Sequence, residues 1–104
     1  MGLAGSREIG AFMAETAEAR LKRMGMRSWR RGTKEMDLIL GPYADAHLAG
    51  MNDARLALYD RLLDENDQDL LPMILGQMVA PVGMEDLVDE ISIFAKARLL
   101  RANL

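Results

Sequence analysis

A stripe of apolar residues with helical spacing runs through the C-terminal part of the chain. Its members recur at intervals of three, four and seven residues: Met84, Leu87, Val88, Ile91, Phe94, Ala95 and the aliphatic stem of Arg98. This spacing places them on one face of an α-helix. Acidic residues stand at the start of the segment and basic residues toward its end, which complements the helix dipole. The segment is predicted to be a long helix with one face buried in a core.

The composition favours helices for the rest of the chain as well. Half of the 104 residues are hydrophobic but only 5% are aromatic, so the core has to be built from Leu, Ile, Val, Met and Ala. Apart from Ile and Val, these residues are strong helix formers. The length is that of one domain. The fold class is therefore predicted to be all-α: a compact five-helix bundle forming a single domain.

Four further segments with helical character precede the C-terminal stripe. They are predicted at residues 6 to about 29, 34 to 48, 52 to 63 and 68 to about 76. In the second, a short segment over 34–40 is expected to be punctuated by Gly41-Pro42, with Pro42 as the first residue of a continuing helical turn over 43–48. Residues 1–18 are interpreted as an N-terminal extension, helical or frayed, and residues 19–104 as the helical domain.

Short polar residues mark the starts of these segments. Ser6 and Asn52 are expected to act as N-caps. The acidic run DENDQD at residues 64–69 lacks the central glycine and the terminal glutamate of a calcium-binding EF-hand loop. It is interpreted instead as a helix start, with Asn66 or Asp67 as the cap and the other carboxylates favouring the helix N-terminus.

The charge balance and residue types argue against several classes of protein. The net charge is −3 and the pI is near 5.1, whereas a nucleic-acid binder needs a basic surplus. No apolar run approaches the roughly 20 residues that span a bilayer, so no membrane insertion is expected. The N-terminal stretch carries Glu8, Glu15 and Glu18, which a mitochondrial presequence avoids. The chain is expected to be cytoplasmic, unprocessed and monomeric.

Residues able to support catalysis are scarce. The chain has one histidine, His47, and no cysteine, so it offers no thiolate nucleophile and no cluster of zinc ligands. A single histidine between Ala46 and Leu48 is more often a surface or core residue than a general base. Neither GxGxxG nor GxxxxGK[ST] occurs. We expect no enzymatic activity, no metal site, and no cofactor bound directly by this chain.

The segment SWRRGTKEMD, residues 28–37, allows two interpretations. In the structural one, Gly32 ends the first helix in the left-handed conformation and Thr33 caps the second. Arg30 and Arg31 then favour the negative end of the first helix, and Asp37 lies in the first turns of the second.

The other interpretation is a contact surface for a partner protein. Arg and Trp often dominate the energy of protein interfaces, and here two arginines and the chain's single tryptophan, Trp29, adjoin a turn that Lys34 and Glu35 follow. For Trp29 itself, a position in the core is favoured over one in an interface. The residue types leave the capping and docking interpretations open.

This turn and the later acidic segment carry motifs of a known family. The matching runs are Ser28-Trp29-Arg30, Arg31-Gly32-Thr33-Lys34-Glu35, residues 36–41 (MDLILG), residues 43–45 (YAD), residues 62–64 (LLD) and residues 67–70 (DQDL). Over roughly residues 19–100 the chain resembles the SdhE family, the FAD assembly factors of succinate dehydrogenase, whose motif is R-G-x-x-E. One departure is the stretch 71–74, LPMI, where the family commonly has an aromatic residue.

The resemblance implies a function that spacing alone cannot. Members of this family bind the flavoprotein subunit of succinate dehydrogenase, and in bacteria that of fumarate reductase, and promote covalent attachment of FAD to it. The FAD belongs to the client, and the R-G-x-x-E surface is the docking site. That implies partner-binding roles for Arg31, Gly32 and Glu35, with Arg30 and Asp37 as neighbours.

Two other functions remain as alternatives. One is a carrier that holds flavin directly. The other is a small helical nucleic-acid module using Arg27, Arg30, Arg31 and Lys34.

Overall fold

Five α-helices make up the architecture of the computed structural model, which describes residues 15–102. They are α1 (Ala17–Trp29), α2 (Lys34–His47), α3 (Asp53–Leu62), α4 (Asp67–Ile74) and α5 (Glu85–Ala102), with a 3₁₀ turn at Leu48–Gly50. No strand occurs within the described residues. The predicted all-α, five-helix, single-domain fold is confirmed. The expected cap at Ser6 and the first part of the helix predicted from residue 6 lie outside the described residues.

Side-chain caps fix where several helices begin. The Thr16 hydroxyl accepts a hydrogen bond from the Ala19 amide at 3.0 Å, so the described part of the first helix begins at Ala17. The carboxamide oxygen of Asn52 accepts one from the Arg55 amide at 2.8 Å, as predicted. Asn66 occupies the N-cap position of α4, but its side chain makes no capping bond there. The bonds at Thr16 and Asn52 satisfy backbone donors that the helices themselves leave free.

The core is formed by apolar side chains from all five helices. The predicted stripe is confirmed as far as Phe94, because Met84, just before α5, and Leu87, Val88 and Ile91 within it are buried and Phe94 packs against the core, whereas Arg98 is exposed. Two tyrosines form the centre of the core, Tyr43 on α2 and Tyr59 on α3, with ring centroids 5.8 Å apart. The hydroxyl of Tyr59 is hydrogen-bonded to buried Ser28 at 2.6 Å. This hydrogen bond compensates for the burial of the Tyr59 and Ser28 hydroxyls.

Helix α2 continues through Pro42, so the predicted interruption at Gly41-Pro42 is wrong. Proline lacks the amide that would bond to the carbonyl four residues earlier. That carbonyl belongs to Leu38, a half-exposed residue. The proline itself is buried, and α2 packs against both α1 and α5. Tertiary packing on two sides outweighs the loss of one backbone hydrogen bond.

The indole of Trp29 lies at the edge of the fold, and its predicted core position is wrong. The residue is 40% exposed. Its ring lies against Gly41 on α2, where any Cβ would collide with it. The indole N–H donates to Asp45 Oδ1 at 3.2 Å. Trp29 is the last residue of α1, and its contacts with Gly41 and Asp45 therefore join the end of α1 to α2.

Alkaline pH should weaken the fold through its buried tyrosines. Burial raises the pKa of Tyr59 to about 12, from 10.0 when unperturbed. Burial, followed by the hydrogen bond to Glu90, also raises the pKa of Tyr43. The protonated phenol is thus favoured in the folded state, so its stabilising contribution is complete below pH 10 and is lost between pH 10 and 12.

Tyr59→Phe is expected to cost about 1 kcal/mol at neutral pH, because the Ser28 hydroxyl loses one of its two hydrogen bonds and keeps only the one it donates to the Met24 carbonyl. Above pH 10 only the wild type loses the contribution of the Tyr59 phenol, so the gap in unfolding free energy should narrow. Urea unfolding of both proteins across this range measures the gap. A gap that stays constant would contradict the raised pKa of Tyr59.

Candidate docking site

The chain reverses direction between α1 and α2 in a short turn whose backbone is fixed by sequence. Gly32 has φ of +104°, a conformation that is cheap only for glycine, which confirms the predicted left-handed residue. Thr33 then caps α2, its hydroxyl accepting from the Met36 amide at 3.3 Å. A carboxylate oxygen of Asp37 accepts from the Arg31 amide at 2.6 Å. Asp37 therefore fastens the turn onto the helix that follows it.

The guanidinium of Arg31 points into the protein rather than toward a partner. Its side chain is only 8% exposed. It donates to the Leu63 carbonyl at 2.6 Å, to the Glu65 carbonyl at 2.8 Å and to Asp67 Oδ1 at 2.9 Å. The two carbonyls lie just beyond α3, so the cation sits at the negative end of that helix. Arg31 thus binds the turn to the α3–α4 connection.

This placement corrects one expectation for the arginine. Its side chain was expected to favour the negative end of α1, and in the structure it lies at the end of α3 instead. The partner-binding role that the resemblance implies for Arg31 stays a prediction.

The acidic run at residues 64–69 is part of the same construction. Asp67 is the first residue of α4 and pairs with Arg31 at 2.8 Å. Asp64 pairs with Arg27 of α1 at 3.0 Å. These carboxylates act at a helix start and in ion pairs, in agreement with the structural interpretation of the run. The acidic segment therefore holds α1, the turn and α4 together.

Other residues of the turn face outward. Arg30, Gly32, Lys34 and Glu35 are exposed. Within residues 15–102, the side chains of Arg30 and Glu35 make no hydrogen bond or ion pair. The space in front of Gly32 is open, because a Cβ built there would meet no atom within 4 Å. Of the five predicted partner-binding residues, Arg30, Gly32 and Glu35 are thus accessible, whereas Arg31 and Asp37 shape the turn.

Two apolar side chains beside the turn extend this outward face: Leu38, which was not predicted there, and Trp29, for which a core position was favoured over the interface position. Leu38 is 50% exposed and lies three residues after Glu35, on the same side of α2. Trp29 adjoins the turn from α1. A signal for Leu38 existed in the sequence, because it falls outside the spacing of Met36, Leu40 and Tyr43, which form the buried face of α2. We call Trp29, Arg30, Gly32, Glu35 and Leu38 the turn surface.

Other kinds of site receive no support from the part of the chain that the structure describes. There, no three His, Cys, Asp or Glu side chains are grouped closely enough to hold a metal ion. His47 packs against the rings of Tyr43 and Phe94, with centroid distances of 4.6 and 5.2 Å. Within residues 15–102, no helix has the length and apolar character needed to cross a membrane.

A rigid, outward-facing turn with charged and apolar side chains on a small helical domain is the construction of a protein-interaction module. A family model described as the flavinator of succinate dehydrogenase matches residues 22–95, and the chain belongs to this family. The matched range includes the whole turn surface. The resemblance found in the sequence is thereby confirmed.

Curated relatives agree with the family. The chain is 43% identical over 56 residues to succinate dehydrogenase assembly factor 2, mitochondrial, of Meyerozyma guilliermondii, covering 54% of this chain and 42% of the relative. It is 39% identical over 67 residues to the protein of the same name from Schizosaccharomyces pombe, covering 64% of this chain and 48% of the relative. The chain thus spans less than half the length of these relatives. No solved structure matches it.

The names of these relatives correct the predicted location. They are called mitochondrial proteins, which overturns the expectation that the chain is cytoplasmic. That expectation rested on Glu8, Glu15 and Glu18 in one short stretch. The composition of such a stretch does not determine in which compartment a folded domain works.

Proposed function

We propose that this protein is an assembly factor that binds the flavoprotein subunit of succinate dehydrogenase and promotes the covalent attachment of FAD to it. Membership of the flavinator family supports this role, as do relatives named assembly factors. The observation that carries the proposal is the turn surface, whose contact residues are exposed while Arg31 holds their backbone in place. The protein acts as a chaperone and not as the catalyst, and the FAD remains the client's.

Different residues of the motif have different tasks in this proposal. Glu35 and Arg30 supply charged hydrogen bonds to the client. Gly32 allows the client's backbone to come close, since no side chain stands in front of it. Arg31 and Asp37 keep the turn in one conformation, which reduces the entropy lost when the complex forms.

The mechanism follows from differential binding. A partner that binds the reactive arrangement of the client's flavin and attachment site more tightly than other arrangements raises the population of that arrangement. Each tenfold preference corresponds to about 1.4 kcal/mol of binding free energy. Bond formation itself takes place within the client.

Removing one exposed side chain, that of Glu35, tests the proposal. Glu35→Ala is expected to leave the domain folded, within about 1 kcal/mol, because it removes only an acidic residue in the first turn of α2. Covalent flavin on the client should nevertheless fall to the level of a strain lacking the factor. In-gel flavin fluorescence of the denatured subunit measures this.

Glu18→Ala is the matched control, since Glu18 is an exposed acidic residue in the first turn of α1 and lies away from the turn surface. It should lose the same helix-dipole contribution and keep full flavin attachment. A normal level of covalent flavin on the client with Glu35→Ala would contradict the assignment of the turn surface as the docking site. A visible flavin spectrum in the purified protein after addition and removal of free FAD would instead favour a flavin carrier.

A further inference from the structure

A second surface lies at the opposite end of α2 from the turn. There a groove of about 470 Å³ runs between the end of α2 and α5, lined by His47, Asp86, Asp89, Ile93, Phe94 and Ala97, together with Glu90. His47 is the last residue of α2, and the turn precedes its first. At 1.5 Å per residue, His47 lies roughly 18 Å along α2 from Glu35, whereas the indole of Trp29 reaches Asp45, near the same end of α2. None of the residues that line the groove belongs to the turn surface.

The walls of the groove are built from packed residues. The His47 ring lies against Phe94 at a centroid distance of 5.2 Å and against Tyr43 at 4.6 Å. The carboxylate of Glu90 accepts a hydrogen bond from the Tyr43 hydroxyl and pairs with Arg55 at 3.3 Å. These contacts fix the shape of the groove before anything binds to it.

An apolar strip extends the groove along α5. Ile93, Ala97 and Leu100 follow the spacing i, i+4, i+7, which aligns them on one side of the helix. Ile93 is 68% exposed and Leu100 is 67% exposed. Large apolar side chains aligned in this way, beside a groove, mark a contact surface more strongly than apolar residues scattered singly.

The same side of α5 is acidic at its other end. Asp86 and Asp89 precede Ile93 by seven and four residues, and both are exposed. Within residues 15–102 neither forms an ion pair, whereas Glu90 is paired with Arg55. The strip from Asp86 to Leu100 thus changes from unpaired negative charge to a mainly apolar surface, with the exposed Lys96 at its edge, over a length of roughly 21 Å.

We propose that this groove binds an amphipathic helical segment of a partner protein. The segment's apolar side chains contact Ile93, Ala97 and Leu100, and its Lys or Arg residues face Asp86 and Asp89. A helix laid along such a strip needs about 14 residues to cover it. The two carboxylates specify a basic protein segment and disfavour an anionic membrane surface. This inference does not depend on the proposed function of the turn surface.

Two synthetic probes test the charge pattern. One is a helical peptide of about 14 residues with leucines on one face and lysines at one end; the other has glutamates in place of the lysines. Fluorescence anisotropy with the full chain should show binding of the lysine peptide, and at least about tenfold weaker binding of the glutamate peptide. Added salt should weaken the lysine peptide's binding. Equal affinity for the two peptides would overturn the proposal.

Paired substitutions test the location. Ile93→Asp should weaken binding of the lysine peptide by about tenfold or more. Leu99→Asp should change it less than about twofold, because Leu99 is 63% exposed on the same helix but lies off the strip. In the same way Asp86→Lys should weaken binding, and Glu18→Lys, a first-turn charge reversal on α1, should not.

Circular dichroism shows whether each variant keeps its helices. Equal losses within either pair would place the peptide elsewhere and contradict the assignment. Sedimentation of the free protein completes the test: a dimer that Ile93→Asp dissociates would assign the groove to a second copy of the chain instead. Binding to anionic vesicles that Ile93→Asp abolishes would assign it to a membrane surface.

Discussion

Replacing Arg31 with alanine is expected to destabilise the folded protein by about 3–5 kcal/mol, the range for removing one partner of a buried ion pair. The side chain is 8% exposed and donates to two backbone carbonyls and to Asp67. Without it, the Glu65 carbonyl and the Asp67 carboxylate lose the cation they face. The Leu63 carbonyl still accepts from Arg27 at 3.0 Å, which favours the lower end of the range. Urea unfolding followed by circular dichroism measures the loss.

Arg30→Ala provides the matched comparison. It removes the neighbouring arginine, whose side chain is exposed, and should change stability by no more than about 0.5 kcal/mol. Arg31→Lys should fall between the two, because one ammonium group cannot span acceptors arranged for a planar fork. If the two alanine variants were equally stable, Arg31 would not have the structural role assigned to it.

Gly41→Ala is expected to destabilise the protein by about 1–3 kcal/mol, although alanine is the better helix former. A Cβ at this position would lie 2.6 Å from Cε3 of Trp29, so the indole would have to move. Its hydrogen bond to Asp45 opposes that movement. Because Trp29 is the only tryptophan, its fluorescence reports the displacement directly, and a shift to longer wavelength should accompany the loss of stability.

Gly25→Ala separates this collision from the effect of helix propensity. Gly25 also lies within a helix, α1, but a Cβ there would meet no atom within 4 Å. Its replacement should stabilise the protein by about 0.5–1 kcal/mol and leave the Trp29 emission unchanged. A stabilising effect of both substitutions would mean that the indole of Trp29 moves aside without a loss of unfolding free energy.

The parts of the fold that follow from local rules were predictable from the sequence. The buried face of α5 obeys helical spacing, and the cap at Asn52 depends on atoms three residues apart. The positive φ of Gly32 is also a local property. Such features need no knowledge of what lies across the molecule.

Features that depend on distant residues were not predictable in the same way. Pro42 remains within α2 because that helix packs on both sides, an arrangement that propensity does not contain. Trp29 lies at the edge because Gly41 offers it a flat surface there. The partners of Arg31 are 32 to 36 residues away in the chain. Composition therefore left its capping and docking roles unresolved.

For the turn surface, the resemblance to a family identified the segment, and the structure divides it. The motif residues Gly32 and Glu35 face outward, and Arg31 faces inward. The sequence motif alone does not distinguish the roles of these three residues. Only the position of each side chain distinguishes a residue that can touch a partner from one that supports it.

The bonds of Arg31 also bear on when the turn can adopt its observed conformation during synthesis of the chain. The letters R-G-x-x-E are complete once Glu35 has been added, but the carboxylate and carbonyls that hold Arg31 belong to residues 63–67. A nascent chain that ends before Asp67 has the motif without the conformation. The observed conformation of the turn therefore requires residues 63–67, which are added after the motif itself is complete.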